Sequence, residues 1–297
     1  MEYNTVIIGG GVAGLTAGLY LGRANKKCLI LEAKFWGGQT ALLSKVDNYP
    51  ALAGVAGFDI TNSLINQVKS YSTEFKNEQV IKLTKVKSCF KVITNKGEYL
   101  ASNIIIATGA KTGVLGLDNE KRLLGRGVSY CATCDGNFFK NKRVAVFGVG
   151  KTAIEDVKYL DNLVEKLYWI IPDDNLYKKN NEVNGLKRLE IIYSSEISEL
   201  VGTDILQAIK IYDKANKKEF SLEVEGLFVS LGRQPDTSWL NIKLQKDNAG
   251  YIIVDKNCET SCKGIFACGD IISRDLKQII TACSDGAIAS NHIIQNN

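Results

Sequence analysis

Histidine is nearly absent from this chain: 297 residues contain a single one, His292. Chemistry that depends on a cluster of imidazoles is therefore excluded, and zinc hydrolases and Ser-His-Asp hydrolases are strongly disfavoured. His292 itself lies near the end of the chain and reads as a surface residue of a helix. Proline is also scarce, with three residues, and no low-complexity segment or solenoid repeat is present. Neither sign of charge dominates. The balance of 37 Lys and Arg against 32 Asp and Glu leaves +5, which points to no nucleic-acid partner but would not hinder docking of an acidic protein. A long uninterrupted apolar run is missing as well. The best stretch, residues 6–22, is broken by Gly9-Gly10-Gly11 and has no basic flank, so neither a membrane span nor a secretory leader is expected. Eight cysteines are too few and too irregular for a disulfide-stapled secreted scaffold. A reducing cytoplasm is the expected compartment, and there a close cysteine pair means redox catalysis or metal binding.

What the chain does contain is a repeated punctuation of glycine. Residues 5–8 form a β-rich run that leads into Gly9-Gly10-Gly11-Val12-Ala13-Gly14. A helical pattern carrying Leu15, Leu19 and Leu21 follows, and then a second apolar run, 28–31, ends at Glu32. This is a strand–turn–helix–strand unit with a dinucleotide fingerprint. Glycines let a pyrophosphate approach the backbone amides that open the helix, and the acid closing the second strand can accept hydrogen bonds from a ribose. The pattern recurs as a strand at 143–147, Gly148-Val149-Gly150-Lys151-Thr152-Ala153, a helix at 154–160 and a strand at 167–171. Two such units are a far stronger signal than one. Ala145 stands where a P-loop would need glycine, so Gly150-Lys151-Thr152 is not one. β-rich stretches fill 79–107 and 189–230, and the tail reads as a strand at 264–267 followed by a helix from about 278. The expected fold class is α/β, with two Rossmann-like three-layer dinucleotide-binding domains, the first interrupted by a smaller second one.

Chemistry is carried by Cys131-Ala132-Thr133-Cys134-Asp135-Gly136. A two-residue spacer lets the sulfurs close a small disulfide ring. With no histidine nearby in sequence, Asp135 is the candidate proton donor and acceptor. The rival is a zinc or iron–sulfur site that adds Cys258 and Cys262, but their three-residue spacing is not that of a metal knuckle. The other six cysteines read as small, partly buried side chains.

Taken in order, these motifs resemble those of low-molecular-weight bacterial thioredoxin reductases. The resemblance rests on Gly9 to Gly14, Gly37-Gly38-Gln39-Thr40, Asp47-Asn48-Tyr49-Pro50, Ala107-Thr108-Gly109-Ala110, Gly125-Arg126-Gly127-Val128-Ser129-Tyr130, the Cys131–Cys134 segment, Gly269-Asp270 and Gln278-Ile279-Ile280-Thr281. It covers essentially the whole chain. It implies a homodimer with FAD in an outer domain built from 1–113 and 245–297, and an inserted domain, 114–244, that carries the disulfide. It further implies that Gly9, Gly11, Ala13, Gly14, Gly38, Ala107, Thr108, Gly109 and Gly269 line the cofactor. Glu32 would bind the adenosine ribose, Gln39 and Asn48 would lie near the flavin, Asp270 would bind the ribityl chain, and Gln278 with Ile279 would meet the isoalloxazine ring. Lys277 stands where the family has arginine. The protein acceptor it implies is thioredoxin.

One departure from the pattern is large. NADPH-dependent members carry a basic cluster, H-R-R-x-x-x-R, at the end of the strand after the second glycine motif. Here those positions hold Ile171, Pro172, Asp173 and Tyr177, with Asp174 adding a further negative charge. NADPH is disfavoured, and two donors remain. Asp173 could hold the unphosphorylated ribose of NADH. Alternatively, the chain resembles the ferredoxin-dependent flavin branch of the family, which lacks the NADPH determinants; ferredoxin is the favoured reading. Other classes fit less well. A flavin enzyme of the ferredoxin–NADP reductase kind needs no C-x-x-C, and a non-catalytic scaffold would not be expected to keep intact FAD motifs.

Overall fold

Strands that are apolar on both faces must be buried on both faces, and the first β-run meets that condition. In a computed structural model, which describes residues 2–43, 45–173 and 181–296, the strand Tyr3–Ile8 sits in the middle of a seven-stranded sheet. It pairs in parallel with Cys28–Glu32 on one side and with Glu98–Ile106 on the other. Thr73–Asn77 extends the sheet beyond Cys28–Glu32. Glu98–Ile106 also pairs in parallel with Ile265–Ala267, and in antiparallel with the meander Cys89–Thr94 and Val80–Val86. Successive side chains alternate between two cores, as the period of two demands. Val6, Ile8, Leu29, Leu31, Ile104 and Ile106 enter one core, whereas Ile7, Ile30 and Ile105 enter the other. The second core lies beneath the helices Val12–Arg23 and Ile279–Asn296. The result is the three-layer dinucleotide-binding arrangement expected.

Those two helices approach closely because small residues line their contact. A Cβ added at Gly286 would lie 2.3 Å from the Ala13 carbonyl oxygen, and Ser290 Oγ donates to the Ala17 carbonyl at 3.1 Å. Gly286→Ala should therefore force the helices apart and cost about 1–3 kcal/mol. A lower urea midpoint with an unchanged slope would show it. His292 lies on the same C-terminal helix, half-buried with its ring 5.7 Å from that of Phe266. It stands at the helix surface as expected, with part of its ring packed toward the strand Ile265–Ala267.

A second compact unit, Thr112–Arg233, is distinct from the first, which comprises Met1–Lys111 and Gln234–Asn297. Its parallel sheet runs in the order Leu189–Ile192, Lys166–Ile170, Arg143–Gly148, Gly226–Ser230, Val128–Ser129. The helix Lys151–Asp161 covers one face, and a three-stranded antiparallel sheet, Ser195–Val201, Ala208–Asp213 and Lys218–Glu223, accompanies this core. The segments Ala110–Thr112 and Arg233–Pro235, where the chain passes between the units, pair as a two-stranded sheet. The second crossing falls at 233/234, earlier in the chain than the expected 244/245. Packing explains the difference: Trp239, Leu240 and Ile242 pack against the core of the first unit, and Leu244 is part of it. Among the described residues no helix is long and apolar enough to cross a membrane.

Candidate active site

In the second unit, the edge strand Val128–Ser129 delivers the chain through Tyr130 to an extended Cys131, after which Ala132–Asp135 makes a single helical turn. Buried Ala132 pins that turn to the core. The turn brings the two cysteines together, and Cys131 and Cys134 are joined in a disulfide with their Cα atoms 5.3 Å apart. Asp135 follows directly. Its Oδ2 accepts a 2.6 Å hydrogen bond from the hydroxyl of buried Ser129, and the same hydroxyl accepts the Cys131 N–H at 3.0 Å. Burial pushes the Asp135 carboxyl above its ordinary range, while the Ser129 hydrogen bond pulls the other way. A buried carboxylate, Glu120, lies on the approach to the disulfide. Glu120 accepts the N–H groups of Leu115 and Gly116, each at 2.8 Å, and the Tyr130 hydroxyl at 2.5 Å.

The raised Asp135 has a consequence for folding. A carboxyl whose folded-state pKa lies above its unfolded value stabilises the fold fully at pH below the unfolded value and loses that contribution as pH rises through the folded one. Ionised Asp135 therefore costs stability at neutral pH. Asp135→Asn is expected to raise the melting temperature at pH 7 to 8, with the gain shrinking as pH falls toward 4. An unchanged difference across that range would contradict the assignment.

The expected cofactor residues of the first unit are brought together. Gly9 (φ +112°) turns the chain after the first strand, and a Cβ there would lie 2.3 Å from the Ala107 carbonyl oxygen. One at Gly14 would lie 2.0 Å from the Gly9 oxygen. These glycines serve the tight turn and the helix–strand packing. Gly11 and Gly109 differ, because a Cβ at either meets nothing within 4 Å. Gly11 borders open space at the mouth of the Val12–Arg23 helix, where a pyrophosphate would need bare backbone. Gly37-Gly38 closes over this turn, with Gly37 N–H donating to the Gly10 carbonyl at 2.8 Å. Glu32 Oε2 accepts the Gly10 N–H at 2.7 Å. Ala13 packs beside Gly269, and the loop from Ala107 through Thr108 ends at Ala110, whose carbonyl accepts Gln39 Nε2 at 2.6 Å. Asn48 Nδ2 donates to Gln278 Oε1 at 2.8 Å. Lys277 Nζ donates to the Asp270 and Ile272 carbonyls at 3.1 and 2.8 Å, and Ile279 opens the C-terminal helix. Buried Asp285 was not anticipated. It accepts the Gly269 N–H at 3.2 Å and lies 2.5 Å from the Arg274 guanidinium.

At the second glycine motif the turn forms, with a Gly150 Cβ again meeting nothing within 4 Å. The strand Lys166–Ile170 ends one residue earlier than expected, and Ile171 is buried while Asp173 is exposed. Asp174 and Tyr177 lie outside the described residues. Lys214 reaches this strand end, donating to the Pro172 carbonyl at 3.1 Å and pairing with Glu196 at 2.5 Å. Of the proposed alternative metal ligands, Cys258 is buried and Cys262 half-buried. Among the described residues no group of three or more His, Cys, Asp or Glu is placed to hold a metal ion.

Residues 3–286 match the family of pyridine nucleotide-disulphide oxidoreductases. The chain is 35% identical to the thioredoxin reductase of Treponema pallidum over 98% of its own length and 95% of that protein's. It belongs to this family. In structure it is similar to the thioredoxin reductase of Streptococcus pyogenes, with a TM-score of 0.93 and 34% identity over 99% of this chain and 97% of that one. A ferredoxin-flavin thioredoxin reductase from Clostridium acetobutylicum is also similar, with a TM-score of 0.54 and 27% identity over 99% and 97% of the two chains. Thioredoxin reductases of this family are FAD-binding flavoproteins, and FAD is the cofactor here. The open cradle at Gly11 and Gly109 fits it.

Proposed function

We propose that this protein is a thioredoxin reductase in which electrons pass through the Cys131–Cys134 disulfide, drawn from a donor other than NADPH. The observation that carries the reading is the closed Cys131–Cys134 pair with the half-buried Asp135 beside it, its carboxyl pushed above the ordinary range by burial. FAD, when bound, supplies an electron pair to the disulfide. In the turn shaped by Gly9 and Gly14, Gly11 with Gly38 would receive its pyrophosphate region, Glu32 its adenosine ribose and Asp270 its ribityl chain. Gln39, Asn48, Gln278 and Ile279 would stand at the flavin.

In this chain the work then belongs to sulfur and Asp135. The incoming pair breaks the Cys131–Cys134 bond, leaving Cys131 as a thiolate while Cys134 takes up one proton through Asp135. Cys131, as a thiolate, attacks the thioredoxin disulfide, whose bond breaks as a mixed disulfide forms. Cys134, giving up its proton through Asp135, then attacks Cys131, re-forming the ring and releasing reduced thioredoxin, whose two sulfurs take up that proton and one from solvent. Exposed Leu42 and Phe58 in the first unit supply apolar surface for the homodimer that belongs to this reading.

For the donor we favour reduced ferredoxin. Ile171, Pro172 and Asp173 replace the basic residues that a 2′-phosphate needs, and Lys214 is already paired with Glu196. A ferredoxin near −400 mV driving thioredoxin near −270 mV releases about 6 kcal/mol for two electrons. Similarity alone gives ferredoxin no advantage, since the relatives of higher identity are named thioredoxin reductases without a donor. NADH is the second reading, favoured by exposed Asp173 beyond the strand end and by the open turn at Gly150. Anaerobic dithionite titration tests the coupling common to both. It should consume four electrons per flavin, two of them for the disulfide; uptake of two would overturn the proposal.

A further inference from the structure

We infer that Ser129 is a positioning residue for the disulfide exchange, holding the Asp135 carboxyl against the backbone of Cys131 and setting the pH at which Asp135 gives up its proton. The inference rests on the reading of Asp135 as the proton carrier.

Geometry singles out the hydroxyl. Ser129 is buried at the edge of the parallel sheet, with Phe228 as its partner across the pairing. Its one hydroxyl proton has two acceptors in reach, Asp135 Oδ2 at 2.6 Å and the Cys131 carbonyl at 3.4 Å. The shorter, charge-assisted bond takes it. The oxygen then remains free to accept the Cys131 N–H at 3.0 Å. One small side chain thus ties the carboxyl to the cysteine that begins the redox turn. Removing that hydroxyl would release both connections, and the ionised form of Asp135 would lose its hydrogen-bond donor.

Ser129 is the polar partner that the described residues show on Asp135, and the charged groups of the packed elements are engaged as follows. The helical turn of Asp135 packs against the following turn, Gly136–Phe139, and against the helix Lys151–Asp161. Gly136–Phe139 carries no ionisable side chain. On the helix, Lys151 pairs with Glu155 and Lys158 with Glu182. Asp156 accepts the Ser230 hydroxyl, and Asp161 accepts the N–H groups of Lys187 and Arg188. The Tyr159 ring lies against Gly136. Nearer in sequence, Glu120 is engaged by Tyr130. Burial and the Ser129 hydrogen bond act on the Asp135 carboxyl in opposite directions.

The test uses pre-reduced holoenzyme mixed anaerobically with oxidised thioredoxin between pH 5 and 9, following thioredoxin reduction in single turnovers. Asp135→Asn should remove the limb of the pH profile that belongs to Asp135. Ser129→Ala should move that limb upward by about one pH unit, a change of about tenfold in proton affinity, because the charged form loses a charge-assisted hydrogen bond. Ser129→Thr, which keeps the hydroxyl, should leave it near the wild-type position. If Ser129→Ala folds poorly, Ser129→Thr and Ser129→Val, similar in volume, repeat the comparison with only the hydroxyl at stake. An infrared titration of the protonated carboxyl, assigned by its absence in Asp135→Asn, reads the same shift without turnover. A Ser129→Ala profile that overlays wild type while Asp135→Asn loses the limb overturns the role of Ser129 alone. A limb that survives in Asp135→Asn overturns the reading of Asp135 and the inference with it.

Discussion

Cys131→Ser and Cys134→Ser are each expected to lose thioredoxin reduction to background while the purified protein stays yellow. The two halves of this result come from separate parts of the chain. The disulfide lies in the unit Thr112–Arg233, whereas the glycine turns, Glu32 and Asp270 lie in the other unit, so losing a sulfur leaves the flavin cradle intact. Serine keeps the size of the side chain but cannot form or break a disulfide, and a lone remaining cysteine can neither close the ring nor resolve a mixed disulfide. The variants should still differ from each other. Cys134→Ser keeps the cysteine proposed to attack thioredoxin and should accumulate a stable mixed disulfide with it, whereas Cys131→Ser should not. Mass spectrometry of the non-reduced products distinguishes them. Equal trapping by both variants, or trapping by Cys131→Ser alone, would reverse the assignment of the attacking sulfur.

The second large effect concerns the electron donor. A 2′-phosphate held by two arginines gains charge-assisted hydrogen bonds of about 1.5–3 kcal/mol each, so their absence costs NADPH about 3–6 kcal/mol, a hundredfold or more in affinity. Asp173 adds repulsion, because its exposed carboxylate stands just past the strand end. Supplying the missing charge should restore part of this. Pro172→Arg combined with Asp173→Arg is expected to raise the second-order rate of flavin reduction by NADPH at least about tenfold, with a smaller change for NADH. A double variant that improves NADH and NADPH equally would show that something other than phosphate recognition limits the site.

Much of this was legible in the sequence because it depends on local chemistry. Gly9 and Gly14 occupy positions where a Cβ would collide with backbone, Gly11 leaves bare backbone at the helix mouth, and their spacing announces the turn. Cys131 and Cys134 announce themselves by their two-residue spacer and by Asp135 next door. The alternation of Ile104, Ile105 and Ile106 between two cores follows from apolar residues in a strand buried on both sides. What stayed hidden depends on where distant segments meet. Residues 234–244 carry no regular period, so nothing in the pattern showed that Trp239, Leu240 and Ile242 return to the core of the first unit. Ser129 is an ordinary residue until the turn at Ala132–Asp135 brings Asp135 back onto it. Asp285 and Arg274 are likewise a pair only because the loop after Asp270 folds back beside the C-terminal helix. The packing of the His292 ring toward Phe266 belongs to the same class, since that partner is fixed by sheet pairing.

The proposed redox disulfide is fed through flavin by a donor other than NADPH. The most direct measurement is anaerobic bleaching of the oxidised flavin by NADPH, NADH and reduced ferredoxin in parallel, at equal reducing equivalents, with thioredoxin then added to each. Rapid bleaching by ferredoxin, followed by thioredoxin-dependent return of the yellow colour, is the predicted result, with NADPH slower by a hundredfold or more. Rapid bleaching by NADPH would contradict it.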